Sequence, residues 1–388
     1  MSHYTYYQKA LEKKREQREY NQLRCTSFSK GHAERSIVNF ASNDFLGLSK
    51  HPYVKKTTLK YVLTWGSGST PSHLVTEHLE CHRNVEKKLA KLVGKETSLL
   101  FPSAYQLHLQ ILSTLTHKNT YIFIDRLSHH ALIQASIRSG AKVFRFEHHN
   151  YAQLKNLLEE TQAVDLPKWI ISESLFSIDG EICDLKRLSE LAEQYQAFLY
   201  IDDSNSISIL GKNGMGLASH HKKIDVSTGN FGTTSGSFGA FIACNSIIRE
   251  YLITFNPQLL ATTILPPAVL GAINGALDLI PDMHVERKKV LHHSAYLRKT
   301  LQNEHWDIGH TSTHLIPLIF MDEAYCVKLF RALSYKNILT TLFRPPIISQ
   351  GATRLRLIVN ALHTQEDLSL LLQTLRNLKR EPSFSIIC

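Results

Sequence analysis

Between about residue 50 and residue 285 the chain alternates short β-rich runs with amphipathic helical stretches, and this alternation restricts the available folds more than any other feature. The runs are Ser98 to Phe101, Thr120 to Ile124, Lys142 to Phe146, Trp169 to Glu173, Phe198 to Asp202, Asp225 to Ser227 and Phe238 to Ala243. Between them lie Glu77 to Leu92, Tyr105 to Leu115, His130 to Ser139, Tyr151 to Thr161 and Leu185 to Tyr195, each with helical spacing of apolar residues. A strand that rejoins its sheet through a helix runs parallel to its predecessor. The pattern therefore predicts an α/β fold whose mostly parallel sheet is covered on both faces.

From about residue 286 the texture changes. A charged helix, Val285 to Glu304, precedes strands near Leu315 to Phe320, Ile338 to Thr341 and Leu355 to Val359, with helices near Ala324 to Ser334 and Gln365 to Leu378. A length of 388 residues exceeds what one core usually serves. We expect an N-terminal arm over 1–49, a large α/β domain over 50–285 and a smaller C-terminal α+β domain over 286–388.

The net charge of +10 permits a nucleic-acid partner, but acids are interspersed with the basic residues throughout and no aromatic-basic stripe is present, so none is expected. The six cysteines form no C-x-x-C pair, which suits reduced thiols in a cytoplasmic protein. His78, Cys81 and His82 share a helical face without a fourth ligand nearby, so we read a packed face and expect no metal site. The first 24 residues read as a charged amphipathic helix packed against the body, not a targeting segment. The charge-free stretch Tyr251 to Leu277 is broken by Asn256-Pro257 and Pro266-Pro267. That argues for a buried loop entering a core helix at Ala268 rather than a membrane span.

Residues 197 to 244 gather the chemistry. The run Phe198 to Ile201 delivers Asp202 and Asp203 to a strand tip, where open α/β sheets place ligands. A glycine- and hydroxyl-rich turn, Thr228 to Gly236, follows the next strand. Asp202 can pair with a protonated ring nitrogen or merely cap the turn at Ser204 or Asn205. His129 follows the strand ending at Asp125 and is either a ligand or a helix-start residue. Ser103-Ala104-Tyr105 opens a helix and can offer N–H groups to a phosphate, although most helix starts bind nothing. Arg356 can meet a carboxylate bidentately or stand as a solvated strand-face charge.

Together these runs resemble the α-oxoamine synthase family of pyridoxal-phosphate enzymes, and most of all its 8-amino-7-oxononanoate synthase branch. The matching segments, in family order, are Ser42 to Leu48, Asp125 to His129, Glu173 to Gly180, Ile201 to Asp203, Leu210 to Gly216, Thr262 to Pro267 and Thr353 to Leu357. The resemblance implies the type I aminotransferase fold, a homodimer with sites between subunits, and a decarboxylative condensation of an acyl thioester with an amino acid. By the same resemblance His129 stacks on the cofactor ring, Asp202 holds its nitrogen protonated, and Glu173 and Ser177 line the site. Thr262 and Thr263 reach the phosphate of the neighbouring subunit, and Arg356 takes the amino-acid carboxylate.

One group is missing. The family carries its cofactor on a lysine in the glycine-rich turn, and that position is Thr233 here, or Thr234 if the alignment slips by one. No lysine occurs anywhere from Ile224 to Arg287. Further departures share the site: Asn230 replaces a phosphate-binding hydroxyl, Asn205 a histidine, Ala104 a glycine and His108 an asparagine, and Gly66 to Ser72 departs from a glycine-rich run. A threonine cannot form a Schiff base. The expectation is a catalytically degenerate member that pairs with a lysine-bearing paralogue and binds pyridoxal phosphate weakly or not at all. The alternatives are a synthase of the biotin pathway using His129 or His130 for acid-base work, and a regulatory protein that binds the cofactor or an acyl thioester.

Overall fold

The computed structural model describes residues 3–16, 20, 37–69, 79–345, 347–348 and 351–381. In chain order the first elements are α1 (Thr5–Glu16), β1 (Val38–Asn39), α2 (Pro52–Trp65), α3 (Glu80–Val93), β2 (Thr97–Phe101), α4 (Ala104–Leu115), β3 (Tyr121–Asp125), α5 (His130–Arg138), β4 (Lys142–Phe146) and α6 (Tyr151–Glu160). Next come β5 (Lys168–Glu173), α7 (Leu185–Gln194), β6 (Phe198–Asp202), β7 (Val226–Asn230), α8 (Phe231–Thr234), β8 (Ala240–Cys244), α9 (Ser246–Phe255), α10 (Pro257–Ala261) and α11 (Pro267–Leu279). The remainder is α12 (His284–Asn303), β9 (Leu315–Phe320), α13 (Glu323–Tyr335), β10 (Ile338–Leu339), β11 (Thr341–Phe343), β12 (Thr353–Ile358) and α14 (Gln365–Arg380).

Seven strands form the central sheet in the order β2-β8-β7-β6-β5-β3-β4. Every neighbouring pair from β7 to β4 is parallel, and β8 runs antiparallel to both of its neighbours. The interior of this sheet is apolar on both faces: Ile122 and Ile124 pack with Leu107 and Ile111 on one side, Phe123 and Ile170 with Leu154 and Leu188 on the other. Chain order reverses where β3 lies between β4 and β5, and a reversal of this kind opens a crevice at the C-terminal strand ends. Asp125, Glu173 and Asp202 end β3, β5 and β6 at that edge.

A second sheet, β11-β12-β9, is antiparallel and packs under α12, α13 and α14. β1 pairs in parallel with β10, and Val38 and Phe40 are buried in the core of this C-terminal layer. The end of the expected arm is thereby fixed to the last quarter of the chain. The expected packing of the N-terminal helix against the body is not found, since α1 buries none of its residues. Its polar sequence leaves it no apolar face wide enough to hold. Strand limits also moved: β7 extends through Thr228 and Gly229 to Asn230, and β8 starts at Ala240, because the β7–β8 ladder runs on to Asn230 opposite Ala240.

The charge-free stretch forms α9, α10 and the buried helix α11, and no helix among the described residues is long and apolar enough to cross a membrane. Cys81, Cys183, Cys244 and Cys326 are buried free thiols. Cys25, Cys388 and His78 lie outside the described residues, as do Thr70, Pro71 and Ser72 of the upstream glycine-rich run.

Candidate functional site

Sheet register builds the centre of the site. Glu173 on β5 stands opposite Asp202 on β6, which stands opposite Thr228 on β7. Asp202 is buried, and its Oδ1 accepts the Ser204 N–H at 3.1 Å, the Ser204 hydroxyl at 2.6 Å and the Thr228 hydroxyl at 3.1 Å. Its Oδ2 lies 3.3 Å from Nε2 of His108, whose Nδ1 is 2.7 Å from the Tyr200 hydroxyl. Burial alone would push the Asp202 carboxyl up, but His108 and Ser204 together hold it below the ordinary carboxylate range. Glu173 is pushed well above that range by burial and by the Asp202 charge beside it, although its Oε1 accepts the His129 N–H at 2.5 Å. Two adjacent carboxyls are thus driven apart, one kept ionised and the other favouring its proton.

Asp203, one residue further, belongs to another network. It accepts from the Ser174 and Ser206 hydroxyls and from the N–H groups of Leu217 (3.1 Å) and Ala218 (2.9 Å). Burial pushes its carboxyl up to about 6 in spite of these donors. Gly216 must be glycine here: a Cβ would fall 2.0 Å from Oδ2 of Asp203, at a backbone φ of +94°.

The glycine-rich turn closes the site from the β7 side. α8 is a single helical turn capped by Asn230, whose Oδ1 accepts the Gly232 N–H at 2.9 Å. The Thr233 hydroxyl donates to the Asn230 carbonyl at 3.0 Å and comes within 3.5 Å of the Ser204 carbonyl, so Thr233 flanks the turn that follows Asp202. Thr234 is buried, with its hydroxyl on the same Asn230 carbonyl. Neither threonine presents an amine, and Lys223, the last lysine before the gap, pairs with Glu193 on the surface.

Several expected site residues converge on this centre. His129 is exposed, bridges to Glu173 through its N–H, and caps α5 by accepting the Ala131 N–H on Nδ1 at 3.2 Å. Asn205 donates to Glu173 Oε2 and to the Leu175 carbonyl, both at 3.4 Å. Arg356 is only 8% exposed, which excludes a solvated strand-face charge. It donates to the Ser177 carbonyl at 2.8 Å, stacks 5.0 Å from the Phe343 ring, and leaves Nε without a partner. Burial lowers its guanidinium to about 10, so it stays charged at neutral pH.

Ala104 and Tyr105 form the first turn of α4, where Ser103 caps by accepting the Gln106 N–H at 3.3 Å. Thr262 and Thr263 lie elsewhere, beside Phe101, Pro102 and Leu265, and no hydrogen bond or ion pair among the described residues joins them to the Asp202 cluster. Two partners were not foreseen. His108 stood out only as a departure from the family pattern, and its hold on Asp202 comes from α4 crossing β6, which no sequence spacing encodes. The same is true of Arg354, which pairs with Asp179 beside Ser177.

A family model described as aminotransferase class I and II matches residues 35–375. A putative 8-amino-7-oxononanoate synthase of Desulfosudis oleivorans is 36% identical over 95% of this chain and 96% of its own. The chain belongs to the α-oxoamine synthase family. An 8-amino-7-oxononanoate synthase of Gluconacetobacter diazotrophicus is 34% identical over 89% of each chain. Among solved structures, one of SPT with a PLP internal aldimine aligns over 99% of this chain and 100% of its own, with a TM-score of 0.91 at 20% identity. The 8-amino-7-oxononanoate synthase of Francisella tularensis aligns over 89% of this chain and 98% of its own, with a TM-score of 0.78 at 23% identity. These structural likenesses establish the fold, that of the pyridoxal-phosphate-dependent type I aminotransferases.

Proposed function

We propose that this α-oxoamine synthase is catalytically degenerate and serves as the non-catalytic subunit of a pair with a lysine-bearing paralogue. The observation that carries the reading is Thr233: it occupies the position of the family's reactive amine, and its hydroxyl is committed to the Asn230 carbonyl. The retained groups suit the non-covalent part of the family's cofactor site. Asp202, buried and held ionised, would face the protonated ring nitrogen of pyridoxal phosphate, with His129 against the ring and Ser177 and Asn205 beside it. Arg356, with its unpartnered Nε, would take a substrate carboxylate. The cofactor, when bound, supplies an electron sink for a carbanion at the substrate α-carbon.

The covalent anchor does not fit. Holding the cofactor and moving the α-proton both need an amine at residue 233, and loss of one member of a concerted set removes most of a rate enhancement. His108 also occupies the free side of Asp202, so a ring nitrogen would compete with an imidazole already there. Weak cofactor binding follows.

The test is an absorbance spectrum of the purified protein with added pyridoxal phosphate, beside that of Thr233→Lys. The expected result is a visible band of lysine-bound cofactor in the variant alone. No band in either protein would show that the pocket itself has been lost. The retention of Asp202, His129 and Arg356 favours one competing reading, an 8-amino-7-oxononanoate synthase-like acyltransferase with an atypical site. Complementation of a biotin auxotroph by the unmodified chain would establish it and overturn degeneracy.

A further inference from the structure

We propose that His148, His149 and Glu181 form a site for a divalent transition ion of the zinc class, on loops other than the turn that carries Thr233. No sequence spacing joins the three: two ligands sit in the β4–α6 loop, and the third comes from the segment before α7, brought over by the fold. One donor atom from each residue lies within 4.8 Å of the other two. Glu181 Oε2 is 3.5 Å from His148 Nε2 and 3.4 Å from His149 Nδ1. A tetrahedral ion with bonds of about 2.0–2.1 Å holds its donors about 3.3–3.4 Å apart, so these two separations already match edges of its coordination sphere.

Three further observations distinguish this cluster from an ordinary group of surface histidines. First, His149 takes a left-handed backbone with φ of 55°, uncommon for a residue other than glycine, and its ring lies 3.8 Å from that of His148. Second, the ring of His148 is oriented from behind. Its Nδ1 lies 3.0 and 3.1 Å from the two oxygens of buried Asp125, which also accepts the N–H groups of Leu127 and His149. A carboxylate only accepts, so Nδ1 carries a proton, and a bound ion would take Nε2 in place of a second one, the carboxylate–histidine–metal arrangement of zinc sites. That Nε2 is buried and makes no hydrogen bond. Third, no lysine or arginine pairs with Glu181 among the described residues, and Arg126, which follows Asp125, pairs with Glu147. Two carboxylates therefore face the imidazoles with no lysine or arginine paired to either among the described residues.

Two imidazoles and one carboxylate suit zinc and its neighbours in the first transition row better than magnesium or calcium, which want an oxygen shell. The three side chains are 17–26% exposed, which leaves a path for the ion and a side for bound water.

The test is calorimetric titration of the full chain with Zn²⁺ alone, with Co²⁺ as a spectroscopic substitute. One ion per chain is expected to bind, with a visible Co²⁺ band of low coordination number. Asp125→Asn is expected to weaken affinity about 10–100-fold, as second-layer substitutions at zinc sites do. Glu181→Gln and His149→Asn, which remove ligands, should weaken it at least as much. Asparagine tolerates the left-handed backbone, and circular dichroism of each variant confirms the fold. Absence of saturable binding overturns the proposal. So does binding that Glu181→Gln and His149→Asn leave unchanged, because the ion then sits on other histidines. Neither result bears on Thr233, so this site stands or falls apart from the proposed function.

Discussion

Asp202 and Asp203 follow one another at the tip of β6, and opposite surroundings give them opposite titrations. Asp202 is held low by His108 and Ser204 against its burial, so its contribution to stability is present above about pH 4 and is lost as pH falls through its folded value. Asp203 is raised to about 6 by burial. Between about pH 4, where the unfolded chain releases this proton, and pH 6, the folded chain still holds it, so stability declines as pH rises across that window and levels off above it. A shift of this size corresponds to about 2–3 kcal/mol. Asp203→Asn keeps the shape and removes the titration. Urea unfolding from pH 4 to 7 should show a difference between the two proteins that changes over this interval, and parallel curves would refute the assignment. Both aspartates were legible in the sequence as strand-tip carboxylates. Which would be ionised was not, because the deciding donors arrive from α4, β5 and the Gly216 turn.

Between elements, α11 packs directly against α2. Gly271 and Gly275, one turn apart, let the helices touch: a Cβ on Gly271 would lie 2.8 Å from Cβ of Tyr61 and 2.9 Å from both the Thr57 carbonyl oxygen and Cα of Thr58. Gly271→Ala sets two effects against each other. Alanine gains about 1 kcal/mol of helix propensity over glycine. The inserted methyl meets backbone that cannot yield, a strain of about 1–3 kcal/mol. The clash should win, lowering the thermal midpoint; a higher midpoint would mean that the helices separate freely. The pair of glycines is plain in the sequence, but nothing there names the helix that presses on them. For the same reason the alternation of strands and helices was readable along the chain, each being set by local periodicity. The two-residue pairing of β1 with β10 was not, since it joins segments far apart in the sequence, Val38 with Ile338.

As a whole molecule the chain aligns over 95% of its length with a family relative of almost equal extent, yet carries no lysine from Ile224 to Arg287. Decay without a remaining role would spread substitutions through the core as readily as the site. Here both the central sheet and the C-terminal layer keep continuous apolar cores, while the departures gather around Thr233, Asn230, Asn205 and His108. The proposed role as a supporting subunit would account for that distribution, and would give a use to Thr262 and Thr263, which make no hydrogen bond or ion pair to this chain's own Asp202 cluster among the described residues. Leu59 and Leu63 of α2 are exposed, and would offer apolar surface to another subunit. Co-expression with a lysine-bearing family member should therefore yield a mixed pair. A Thr262→Ala, Thr263→Ala double variant should assemble normally yet lower the partner's affinity for pyridoxal phosphate by at least about tenfold, since a hydrogen bond to a charged group contributes about 1.5–3 kcal/mol. The readout is cofactor titration of the purified pair. A chain that forms only a homodimer in the presence of that partner, or a double variant with unaltered cofactor affinity, would remove the basis for a supporting subunit.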